Sequence, residues 1–225
     1  MVHLGNRRLC RKWEAAWRQE DLPPLRVEDF DLPPSPPSPT LNLFTRHEHG
    51  GNKMENWSLT LSREILIVGA SNISRLPLIR DIRVQVDSYP GANLSQATAM
   101  IRNRTPTSPG VHKVILPFGL NDRDRGNTTL FESKLQKLLQ STKDTFPNAA
   151  IYIPIINISS NLTLKPTENI RILNQLIFQT FHSLRHSAFS TVQDNIHWSP
   201  NTARLMWDHW RSFLGLGNPT LTHHP

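Results

Sequence analysis

One cysteine in 225 residues excludes a disulfide framework and any metal site built on cysteine ligands. Long apolar runs are missing too. None approaches the roughly 20 residues of a membrane-crossing helix, and residues 1–18 hold no hydrophobic stretch of the secretory kind. The expectation is an intracellular, cytoplasmic chain, with the nucleus as the alternative compartment. Asn-X-Ser/Thr triplets begin, among other places, at Asn56, Asn72, Asn93, Asn127, Asn157 and Asn161. They matter as glycan acceptors only in a secreted chain, so they carry no weight here. Phosphate-cradling signatures are also lacking: there is no G-x-x-x-x-G-K-[ST], and Gly69 has none of the partners of a G-x-G-x-x-G turn. Ile73 stands where a G-x-S-x-G turn needs its second glycine.

What is present is unevenly spread. Apolar residues make up 37% of the chain, enough for one domain with a tail. Residues 1–18 carry five Lys/Arg and one Glu, and residues 19–58 carry three Lys/Arg and seven Asp/Glu. Those two segments cancel, so the formal charge of +7 lies wholly in residues 59–225. Such a domain approaches nucleic acid or an anionic membrane through long-range attraction; an ordinary solvated surface with a basic bias is the plainer alternative. In residues 1–20, Trp13 and Trp17 fall one helical turn apart beside Arg7, Arg11 and Arg18. A short helix there suits docking on RNA, single-stranded DNA, a membrane surface or a protein, and a loose tail is the even alternative. Seven of the 18 prolines fall between Asp21 and Thr40, so residues 21–58 read as a Pro-rich disordered linker. His47 and His49 flank Glu48 there and read as a solvated loop, not a metal site. The domain is expected over 59–216, beginning near Trp57–Leu61, with 217–225 as a tail.

Within it, strand and helix patterns alternate. Ile65–Val68 is an uninterrupted aliphatic run, as in a strand covered on both faces. Further strands are expected at Ile82–Asp87, Val111–Phe118, Ala149–Ile156 and Ala188–Val192. Helices are expected at Ile73–Ile79, Ala92–Arg102, Thr129–Thr145 with a Thr129/Glu132 capping box, Thr167–Leu184, and after Ser199 with Pro200 at the first position. Five strands alternating with helices imply a parallel sheet with helices on both faces.

Four segments leave the carboxyl ends of these strands, the edge where open α/β sheets bind ligands. Ser71 follows Gly69 at the end of the first strand; a helix cap is its plain alternative. Pro90-Gly91 is turn chemistry that also brings a backbone N–H close to a reacting oxygen. Asn121, after Gly119-Leu120, is placed to donate an amide hydrogen bond into the same crevice, and is equally a turn former. Asp194 and His197 lie three apart, so the carboxylate can set the imidazole tautomer while the other ring nitrogen faces Ser71; capping of the next helix is the alternative. Each plain alternative stands alone well enough, but together they require four unrelated coincidences on one edge.

In that order, Gly69-Ala70-Ser71, Gly91, Gly119-Leu120-Asn121-Asp122 and Asp194-Asn195-Ile196-His197 resemble the four sequence blocks of the SGNH (GDSL-like) hydrolases, from about Glu64 to Leu214. The Asp-x-x-His ending that runs into Ser199-Pro200 is the most specific part. Phe146-Pro147-Asn148-Ala149-Ala150-Ile151-Tyr152-Ile153-Pro154 is similar, more narrowly, to the copies of this domain carried by fish retrotransposons. The resemblance implies a flavodoxin-like three-layer α/β/α sandwich with a five-stranded parallel sheet, and ester hydrolysis without metal or cofactor. Ser71 is implied as nucleophile, His197 as general base and Asp194 as its orienter. The backbone N–H groups of Ser71 and Gly91 and the amide of Asn121 are implied as the oxyanion hole. One departure stands out: the family's first block reads Gly-Asp-Ser, and here position 70 is Ala. That Asp helps fix the oxyanion-hole loops, so its loss threatens the placement of Asn121.

The leading functional expectation is a serine esterase or acetylesterase acting on a small acyl ester. The alternative is a retroelement-derived scaffold that binds nucleic acid or protein through the basic domain and the Trp13/Trp17 tail. Substrate choice falls to the loops near Asn93, Asp122–Thr128 and Asn157–Lys165.

Overall fold

The computed structural model describes residues 43–48, 57–105, 110–124, 127–159, 161–180, 191–192, 194 and 196–217. The Trp13/Trp17 segment, most of the linker, residues 181–190 and the tail after Gly217 lie outside the described residues.

Among the described residues, five parallel strands form one sheet: β1 Leu43–Arg46, β2 Ile65–Gly69, β3 Val84–Ser88, β4 Lys113–Ile115 and β5 Ala150–Tyr152. Their spatial order is β1-β3-β2-β4-β5. Every residue of β2 is buried, and alternate side chains serve opposite faces. Leu66 and Val68 enter one core with Leu94, Met100 and Ile101 of α1 (Leu94–Arg102), Phe131, Leu135 and Leu138 of α2 (Thr128–Thr145), and Leu173 and Ile177 of α3 (Leu164–Thr180). Ile65 and Ile67 enter a second core with Ala203, Met206, Trp207 and Trp210 of α4 (Pro200–Leu214). Helices therefore cover both faces, giving the α/β sandwich that the alternating pattern predicts. No helix among the described residues is long and apolar enough to cross a membrane.

The structure corrects several expectations. The edge strand β1 comes from within the expected linker and pairs with β3 in the register Leu43↔Gln85 to Arg46↔Ser88. His47 is not a solvated loop residue. Its ring stacks on Tyr89 with centroids 3.9 Å apart, and its Nε2 lies 2.8 Å from Oδ1 of buried Asp87. Of the strand expected at Ala188–Val192, residues 188–190 lie outside the described ones, and Thr191 makes an antiparallel bridge to Trp198. The helix expected at Ile73–Ile79 is only a 3-10 turn, Ser71–Arg75. Pro77 disfavours helical backbone at the residue before it, and Leu76 accordingly sits at ψ 145°. The cap of α2 is Asn127, whose side chain accepts from the N–H of Leu130, in place of Thr129.

Candidate active site

The nucleophile turn begins where β2 ends. A Cβ at Gly69 would lie 2.4 Å from Cγ1 of Ile73 and 2.6 Å from Cγ of Pro117, so only glycine lets the chain pass here. Ala70 occupies the cap position of the turn and makes no side-chain cap bond. Ser71 is thus not a cap. Its Oγ lies 2.9 Å from Nε2 of His197, a residue 126 positions away.

His197 rides on a short loop closed by the backbone N–H of Val192 donating to the His197 carbonyl at 2.9 Å. Asp194 holds this loop from within. Its Oδ1 accepts the backbone N–H groups of Ile196 at 3.0 Å and His197 at 2.9 Å, and its Oδ2 bonds Nδ1 of the His197 ring. These bonds hold the Asp194 carboxyl well below the ordinary carboxylate range, the ring bond first and the two backbone bonds after it. With Nδ1–H donating to Asp194, Nε2 is left as acceptor for the Ser71 hydroxyl. The capping of α4 falls to Ser199, which accepts from the N–H of Thr202.

The donors expected opposite Ser71 leave the next two strands. Tyr89-Pro90-Gly91-Ala92 is a type II turn: the Ala92 N–H donates to the Tyr89 carbonyl at 3.1 Å, and Gly91 at φ 78° takes the position that needs a left-handed residue. Asn121 lies in the 3-10 turn Leu120–Asp122. Its Nδ2 donates to the carbonyl of Ala92 at 2.9 Å, which ties its amide to the Gly91 turn and leaves the amide's second N–H to spend elsewhere. Asp122, next in the chain and buried, accepts the Leu94 N–H at 2.9 Å and the Lys134 ammonium at 2.8 Å. The Asn121 loop is thereby pinned to α1 and α2 without any help from position 70.

Two residues here escape a reading of the sequence. Asn72 is visible only as the start of a glycan triplet, yet it is buried against the histidine loop. Asp122 is quoted in the third block without a role. The signal in both cases is a polar residue inside an apolar or turn-forming run, and only its distant partners give it meaning.

No protein-family model matches the sequence, and no curated protein matches it. Solved structures do. A candidate platelet activating factor from Streptococcus pneumonia superposes with a TM-score of 0.53 at 17% identity, over 68% of this chain and 85% of its own. A member of the lipolytic protein G-D-S-L family from Veillonella parvula gives 0.51 at 15% identity, over 68% of this chain and 99% of its own. This chain shares the α/β fold of these two proteins. The esterase domain of the ZfL2-1 ORF1 protein from the zebrafish ZfL2-1 retrotransposon is also similar, at 18% identity and a TM-score of 0.37, over 67% of this chain and 98% of its own. Against the G-D-S-L name, the aspartate before the serine is Ala70 here, and its side chain faces a small apolar hollow.

Proposed function

We propose that this chain is a serine hydrolase of small acyl esters. The observation that carries the reading is the relay of contacts from Asp194 through His197 to Ser71, with Oγ 2.9 Å from Nε2. In the proposed reaction Oγ attacks the ester carbonyl carbon while its proton passes to Nε2 of His197. The tetrahedral oxyanion is received by the N–H groups of Ser71 and Gly91 and by the Asn121 amide. Nε2 then gives its proton to the departing alkoxide, leaving an acyl group on Ser71. Water repeats the sequence, releasing the acid and restoring the hydroxyl. Asp194 keeps the ring in the tautomer that each step needs.

Ala70 bears on strength and on substrate. The support from Asp122 and Ala92 keeps Asn121 placed, so the missing carboxylate does not dismantle the hole. A hollow of about 40 Å³ is lined by Ala70, Asn72, Leu120, Ile156, Ile196 and Trp198, which are chain neighbours of the proposed catalytic groups for the most part. A hollow of that size, flanking Ser71 through Ala70 and Asn72, supports a small acyl group as the substrate.

The test is covalent labelling by a serine-reactive fluorophosphonate with the modified residue mapped, alongside hydrolysis of nitrophenyl acetate. Ser71 is the expected site of modification, and Ser71→Ala is expected to lower kcat by about 10⁶. Hydrolysis that persists unchanged in that variant removes Ser71 from the mechanism.

A further inference from the structure

We propose that Asn72 is a positioning residue that sets the register between the nucleophile turn and the histidine loop. The inference rests on the Ser71–His197 reading above and adds a residue to it. Asn72 directly follows Ser71 and is only 9% exposed. Its Oδ1 accepts the backbone N–H of Trp198 at 2.9 Å, and its Nδ2 reaches the carbonyl of Ile196 at a longer 3.5 Å. Because the group at Trp198 is a donor, the oxygen of the amide must face it, so the orientation of Asn72 is fixed by its partners.

The two contacts land on either side of His197. Consecutive residues of one loop thus meet consecutive residues of the other: 71 meets 197 through side chains, and 72 meets the backbone of 198. A lone bond between Oγ and Nε2 joins two rotatable side chains and yields easily. A buried backbone anchor one residue further on makes the same distance a property of the fold. Asp194 cannot do this work, because it belongs to the histidine loop itself: it orients the ring without bringing the ring to Ser71. The Trp198 ring, packed edge-on against Trp210 at 5.9 Å, places the loop coarsely, and the Asn72 amide sets the last ångström. An error of about 1 Å at a reacting pair can cost about 10² in rate.

The experiment follows fluorophosphonate labelling kinetics on the full chain, with urea unfolding to count folded molecules. Asn72→Ala is expected to lower the maximal labelling rate by about 10² with the half-saturating probe concentration unchanged. Asn72→Asp, which keeps an acceptor for the Trp198 N–H, is expected to recover to within about tenfold of the wild type. The proposal is overturned if Asn72→Ala labels at the wild-type rate per folded molecule, or if Asp performs no better than Ala. Amide hydrogen exchange at Trp198 gives a readout independent of reactivity and of whether Asn72→Ala folds. In the wild type and in Ser71→Ala that amide is expected to be protected, and exchange as fast as in an unstructured chain overturns the anchor. A wild-type protein that keeps Trp198 protected but never labels at Ser71 overturns the esterase reading instead.

Discussion

Asp194 is the member of the site most open to water, with 44% of its side chain exposed, and its carboxyl is nonetheless held below its ordinary value by His197 and two backbone N–H groups. A carboxylate whose folded value is depressed stabilises the fold fully above its unfolded value of about 3.8 and loses that contribution as pH falls through the folded value. The urea midpoints of the wild type and Asp194→Asn are therefore expected to differ at neutral pH and to converge in strong acid. In catalysis the same substitution leaves the geometry and spoils the tautomer, with kcat falling by about 10⁴ in an ester assay. Gly69→Ala tests the floor of the turn: with Ile73 and Pro117 in the way, the cost is expected to be about 1–3 kcal/mol of unfolding free energy. The sequence singles out Ser71, Gly91 and Asn121 because they follow strand ends beside turn chemistry, and Asp194 and His197 because they lie three apart ahead of a helix start. It does not single out Asn72 and Asp122, because a buried amide or carboxylate is defined by partners that lie 126 and 28 residues away.

At the scale of elements, β1 matters beyond its four residues. It covers the outer side of β3, and the residue after it supplies the His47 ring that pairs with Asp87 and stacks on Tyr89. Tyr89 in turn starts the Gly91 turn, and its phenol, pushed up by burial and then by the Asp87 charge, donates to the Ser58 carbonyl at 2.6 Å. Removing His47 takes a hydrogen bond from a buried carboxylate, so His47→Ala is expected to cost about 1.5–3 kcal/mol. A chain beginning at residue 57 is expected to unfold at lower urea than one beginning at residue 39, and equal midpoints would refute a structural role for β1. The long elements were readable because α2 and α4 repeat their apolar residues at helical spacing, Phe131, Leu135 and Leu138 in one and Ala203, Met206, Trp210 and Leu214 in the other. β1 was not, since an edge strand with three exposed residues shows no buried face in its own sequence.

At the scale of the whole chain, the charge of +7 separates the two functional expectations. Hydrolysis of a neutral ester is expected to stay level with added salt, since an uncharged substrate feels no long-range field. Retention of single-stranded DNA, the mark of the scaffold alternative, would instead fall by about 10³–10⁵ between 50 and 200 mM salt if several phosphates are neutralised. Periodicity and turn chemistry determined by themselves that this chain builds a parallel sheet with helices on both faces, and at which edge of it the candidate site residues gather. Those are local properties, written in the spacing of residues close together in the chain. Which strand closes the sheet, which asparagine anchors the histidine loop and which acid holds the Asn121 turn were decided only in three dimensions. Each depends on a polar group meeting its partner across tens of residues, and sequence spacing carries no record of that distance.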